Sequence, residues 1–147
     1  MSNCPRYLIS ACLCGERCRY DGTDFTISRF KRLVKTGSAL AVCPEVLAGL
    51  PVPRVACEIL NGRVFNKDGL DNTETFMRGA HLTLELAQKH NIRSVIFKER
   101  SPSCGSSTIF DGSFSGRLVS GQGISTALLR QHGIAVLSEE EALPFLS

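Results

Sequence analysis

Four short apolar runs, Tyr7–Cys12, Ala39–Cys43, Ser94–Phe97 and Ile134–Leu137, constrain this chain most. Each has strand rather than helix length, and none alternates regularly between polar and apolar residues, so each reads as a strand buried on both faces. Helix-patterned stretches lie between them. Arg29 to Lys35 follows a capping Ser28, carries Phe30, Leu33 and Val34 on one face, and stops at Gly37. Thr73 to His90 repeats Phe76, Ala80, Leu84 and Ala87 at helical spacing, with Asp71, Asn72 or Thr73 as its cap. Ser125 to His132 is the last helix. Asn61-Gly62 between two short apolar runs predicts a hairpin over Glu58 to Phe65. Leu47 to Arg54, with prolines two apart, reads as a loop, and the Gly/Ser-rich stretch from Ser106 to Gly123 as an ordered one. Strands separated by helices give an α/β fold: a small parallel, Rossmann-like sheet flanked by helices. At 147 residues the chain is expected to be a single domain over 1–147, long enough to bury about 68–70% of its unfolded surface.

Net charge is +3 and no Lys/Arg block exceeds two residues, which argues against a basic face for duplex DNA or a membrane surface. With no Trp and two Tyr, the chain is poorly equipped to stack along a long single strand, so polymeric nucleic acid is not an expected partner. A small anionic ligand remains compatible. Leu8-Ile9-Ser10-Ala11-Cys12 has the look of a lipoprotein signal ending. A secretory signal needs a basic start and about 7–15 apolar residues, whereas only about five precede Cys12. No run approaches the ~18 apolar residues of a membrane span. The expected location is cytoplasmic, and the oligomeric state is left open.

Seven cysteines are more than a chain of this size needs for folding, and an odd number does not form a tidy disulfide set. Metal or redox chemistry is the better reading. Cys12 and Cys43 end the first two strands, and Cys104 lies in the loop leaving the third. Ligands of open parallel sheets bind beyond the carboxyl ends of the strands, so these three thiols are expected to gather there. Cys4 and Cys57 read as bystanders. Cys14 and Cys18 are alternative ligands by proximity to Cys12, although their spacing matches neither paired Cys-x-x-Cys zinc sites nor the ferredoxins. Three thiolates on a four-iron cluster would leave one iron open. Electron carriers normally use four cysteines, whereas an open position suits Lewis-acid chemistry. A non-enzymatic cluster module, such as a redox sensor, and a structural zinc domain are the competing readings.

Glu45, two residues after Cys43 and fixed by Pro44, is the candidate general base. Ser101, directly off the third strand, is the candidate second catalytic group. Ser103 and Asp111 are candidate substrate contacts, Asp111 within an Asp-Gly pair that is also a turn signal. His81, His90 and His132 fall on or at the ends of helices and read as surface or capping residues. No Ser-His-Asp pattern, P-loop or Gly-x-Gly-x-x-Gly fingerprint is present.

Six motifs occur in order: Ile9-Ser10-Ala11-Cys12-Leu13, Arg19-Tyr20-Asp21-Gly22, Cys43-Pro44-Glu45, Leu50-Pro51-x-Pro53-Arg54, Ser101-Pro102-Ser103-Cys104-Gly105 and Asp111-Gly112-x-Phe114-x-Gly116. Together they resemble the thiouracil desulfidase family, over about Tyr7 to Ser138. The resemblance implies an oxygen-sensitive [4Fe-4S] cluster on Cys12, Cys43 and Cys104, and non-redox removal of sulfur from a thiolated pyrimidine to give uracil and hydrogen sulfide. It also implies catalytic roles for Glu45 and Ser101. Cysteines at 14 and 18 depart from the family pattern. The free base, nucleoside and nucleotide are left undistinguished.

Overall fold

The computed structural model describes residues 4–145. Four strands form its central sheet: β1 (Tyr7–Ser10), β2 (Ala39–Val42), β5 (Ser94–Phe97) and β8 (Ala135–Ser138), in the order β2-β1-β5-β8 and all parallel. Successive side chains point to opposite faces, so adjacent apolar residues serve two cores. Leu8, Val95, Phe97 and Val136 meet α3 (Thr73–Lys89) and α4 (Ile124–Gln131) on one face. Ile9 and Ile96 meet Phe30 of α1 (Ser28–Lys35) and Ala142 of α5 (Glu139–Ala142) on the other. This double burial is why the strands lack polar alternation, and it places Leu8-Ile9-Ser10 in the middle of the sheet. Among the described residues no helix is long and apolar enough to cross a membrane.

The hairpin forms as the sequence predicts. β3 (Cys57–Leu60) pairs antiparallel with β4 (Arg63–Asn66), and Asn61 and Gly62 both take the positive φ that a tight hairpin turn needs, 52° and 76°. Phe76, Ala80, Leu84 and Ala87 are buried along α3, as their spacing requires. Several local expectations are corrected. The first strand stops at Ser10, and Cys12 lies in a 3₁₀ turn over Ala11–Cys14. Ser28 is inside α1 and caps nothing; Ile27 holds the cap position. A short helix that the sequence reading did not foresee precedes the loop read from Leu47: α2 (Pro44–Leu47) starts immediately after Cys43, with Pro44 at its first turn, where a missing N–H costs nothing. The Gly/Ser-rich stretch contains a second small hairpin, β6 (Thr108–Phe110) with β7 (Leu118–Ser120).

Two close approaches position the carboxyl edge of the sheet. Gly79 on α3 lies against Pro44, where any Cβ would overlap the Pro44 carbonyl oxygen. Gly123, ahead of α4, lies against Ser103 and the Cys104 amide in the same way. The first amides of α4 are satisfied by that loop rather than by a capping side chain: Ile124 donates to Pro102 at 2.8 Å and Ser125 to Ser103 at 3.0 Å. Helices from one face therefore hold α2, which carries Glu45, and the loop that carries Cys104.

Candidate functional site

The three strand ends open into a cavity of about 450 Å³, within the usual range for small-molecule sites. Cys12, Cys43 and Cys104 all line it, together with Glu45, Ser101 and Ser103. Cys12 arrives from the 3₁₀ turn after β1, Cys43 from the junction of β2 and α2, and Cys104 from the loop after β5. Ser10 ties two of these strand ends together, its hydroxyl accepting from the Lys98 amide at 2.8 Å. Cys18 and Cys57 also reach the wall. Cys14 does not; it is buried with Phe30 in the core, and burial pushes its thiol up to about 12. Burial likewise raises the Cys104 thiol, and the Cys43 thiol is raised by its hydrogen bond to Cys18 and then by burial. Without a cation these sulfurs carry their protons at neutral pH, so a bound metal group must displace them.

Glu45 lies in the first turn of α2 and is almost fully buried, with both carboxylate oxygens engaged. Oε1 accepts from Arg54 Nε at 2.9 Å, and Oε2 accepts from the Ser103 hydroxyl at 2.8 Å. Side-chain exposures of 6% for Arg54 and 11% for Glu45 make this a desolvated ion pair, of the kind whose breakage costs about 3–5 kcal/mol. Ser101 Oγ accepts from the amides of Ser103 and Cys104, each at 3.1 Å, and lies 3.0 Å from Ser103 Oγ. Ser103 has one hydroxyl proton and gives it to Glu45. The Ser101 hydroxyl must then be the donor to Ser103. The result is a directed chain, Ser101 to Ser103 to Glu45, beside the Cys104 thiol.

The 2-thiouracil desulfurase family profile matches residues 7–141. This chain belongs to that family. It is similar to a solved structure, the [4Fe-4S]-dependent thiouracil desulfidase TudS, at 46% identity and a TM-score of 0.91, covering 97% of this chain and 95% of that one. It is also 41% identical over 144 residues to the uncharacterized protein YbbK of Bacillus subtilis (strain 168), covering 91% of this chain and 95% of that protein.

The site contains residues that motif reading in this family leaves without a role. Arg54, the end of Leu50-Pro51-x-Pro53-Arg54, clamps Glu45 and also donates to the carbonyls of Pro51 and Cys18. Its signal was an arginine closing a proline-stiffened loop. Tyr20, Phe25 and Phe110 supply aromatic walls. Asp111 is not among the lining residues; its carboxylate accepts from the Ser113 amide at 2.9 Å and from its hydroxyl, and faces Arg117 at 4.0 Å. The same motif is held to β3 by Glu58, which accepts from the amides of Gly112 and Phe114. None of the three histidines lines the cavity, and His90 and His132 sit at the C-terminal ends of α3 and α4.

Glu99 anchors the Cys104 loop from below. Its Oε1 accepts from the amides of Ser106, Ser107 and Thr108 at 2.8, 3.1 and 3.2 Å, and its Oε2 from the hydroxyls of Ser106 and Ser107. Burial alone would push this carboxyl up, but the donors outweigh it and hold it at about 2, below its ordinary 4.5. A carboxyl depressed on folding stabilises the fold fully above its unfolded value, and that contribution fades as pH falls towards the folded value. Glu99→Gln is therefore expected to be less stable than the parent by a constant margin above about pH 5, and the margin should shrink on acidification. Denaturant unfolding at several pH values checks this; a margin independent of pH would contradict it.

Proposed function

We propose that this chain, as a single domain over 1–147, is a non-redox desulfidase acting on a thiolated pyrimidine, thiouracil or a related nucleoside or nucleotide. Water enters, and uracil and hydrogen sulfide leave. The observation that carries the reading is the meeting of Cys12, Cys43 and Cys104 with the buried Arg54–Glu45–Ser103–Ser101 chain around one cavity. Membership of the 2-thiouracil desulfurase family and the likeness to TudS support it. So does the donor set: the candidate ligands are all soft sulfur, the chemistry of an iron–sulfur cluster. Cys12, Cys43 and Cys104 would hold a [4Fe-4S] cluster with one iron open.

The cluster supplies a soft Lewis acid for the thiocarbonyl sulfur, making the ring carbon more electrophilic. The protein's own groups supply the rest. Glu45, held at both oxygens, takes a proton from the attacking water. Ser101 donates to Ser103 and Ser103 to Glu45, so the two serines orient that carboxylate as the base, and Glu45 then gives the proton up for the departing sulfide. Tyr20, Phe25 and Phe110 give a flat ring apolar surface. Ser103 serves substrate binding through this chain, and Asp111 only through the turn it closes. The expected partner is a small molecule in the cytoplasm, not a polymeric nucleic acid or a membrane. Metal analysis separates this reading from a zinc domain: anaerobically reconstituted protein is expected to hold about four irons per chain. Stoichiometric zinc without iron under those conditions would overturn it.

A further inference from the structure

Cys18 has no part in the scheme above, yet it lines the same cavity as Cys12 and Cys43, and its thiol neighbours theirs. Its segment is tied to the catalytic wall. The Cys18 carbonyl oxygen accepts from Arg54 Nη2 at 3.0 Å and lies 3.9 Å from the Cys43 thiol, and Arg54 is the guanidinium that holds Glu45. The other spare thiols are placed differently. Cys14 faces the Phe30 core, and the Cys57 sulfur is engaged by Asn72 Nδ2 at 3.5 Å and the Val55 carbonyl. Four thiols thus share one contact zone where three ligands are required.

A cluster held by three thiolates has a fourth corner to fill whenever no substrate sulfur is bound. We propose that Cys18 fills it, as a displaceable fourth thiolate that closes the cluster in the resting enzyme and yields to the substrate. This rests on the desulfidase reading above. The exchange is balanced: the iron bond to Cys18 breaks, the bond to the substrate sulfur forms, and Cys18 takes a proton from water. When the sulfide leaves as hydrosulfide, Cys18 gives up that proton and rebinds. No electron moves. Thiolate and thiocarbonyl sulfur are similarly soft, so neither state need dominate and substrate concentration can set the balance. The resting enzyme would carry four cysteine ligands, as electron-carrying clusters do, and would shield the iron that oxidation removes first.

The test uses anaerobically loaded wild-type protein, Cys18→Ala, Cys18→Ser and, as a control, Cys14→Ala. Each is treated with ferricyanide, and the growth of the three-iron EPR signal is followed with the release of iron. Both Cys18 variants are expected to load four irons and then lose one at least about tenfold faster than wild type, on the scale by which metal affinity responds even to an outer partner. Cys14→Ala should follow wild type. Equal rates in all four proteins overturn the proposal. Failure of both Cys18 variants to load any cluster also overturns it, because Cys18 would then be a permanent ligand. The readout does not depend on turnover: wild type that loads four irons but releases no sulfide removes the desulfidase reading and leaves the ligand comparison intact.

Discussion

Glu45→Gln is expected to lower sulfide release from thiouracil by about 10²–10⁴-fold, the usual contribution of a positioned general base, with iron content unchanged. The substitution keeps the size of the side chain, and its amide oxygen can still accept from Arg54 Nε. Its amide nitrogen then faces Ser103, whose hydroxyl can turn to accept from it. The packing survives while the base, and the donated hydrogen bond that oriented it, are gone. Ser103→Ala should cost less, because water can partly replace a hydroxyl. It leaves the Ser101 oxygen in place to hold the Cys104 amide. Assays of sulfide without reductant, beside iron determination on the same samples, check both variants. Near-normal rates in Glu45→Gln would remove Glu45 from the mechanism.

Serine in place of Cys12, Cys43 or Cys104 is expected to abolish stable cluster binding, and turnover with it. A serine oxygen is harder and far more basic than a thiolate, so it is a poor partner for iron in a sulfide-rich cluster. Cys18 lies beside Cys12 and Cys43, but as a displaceable ligand it is not expected to hold the cluster in place of either. Cys4→Ser should leave the iron content as it was, because that residue is exposed at the start of the described chain. Cys57→Ser should also keep the cluster, since its sulfur is turned to Asn72 although it touches the cavity. Iron and acid-labile sulfide determined after anaerobic reconstitution check the series. Cluster retained in Cys12→Ser and lost in Cys18→Ser would exchange the roles of those two residues.

The sheet was legible because both its faces are buried: Leu8 and Ile9, or Val95 and Ile96, serve opposite cores and leave an apolar run that only a covered parallel strand explains. The gathering of Cys12, Cys43 and Cys104 was legible because parallel strands bring their carboxyl ends to one edge. What stayed hidden depends on contacts across long sequence distances. α2 is one turn long and stands only because Gly79 and Arg78 of α3 meet it, Arg78 donating to the Ala48 carbonyl at 2.6 Å. The β6–β7 hairpin carries exposed Leu118 and Val119, which give no core-facing pattern. The partners of Glu45 come from residues 9 and 58 positions away, so its place in a chain through Ser103 has no local signature. Arg54 and Glu99 each lay inside or beside a recognisable motif, but their roles come from what they hold.

The central claim is hydrolytic removal of sulfur by a cluster-loaded protein, and isotope labelling tests it most directly. Anaerobically loaded protein is given thiouracil in water enriched in heavy oxygen, with no electron donor. The account predicts uracil and hydrogen sulfide in equal amounts, with the label at the ring carbon that lost sulfur. No uracil from fully loaded protein, or uracil only when a reductant is added, would contradict it.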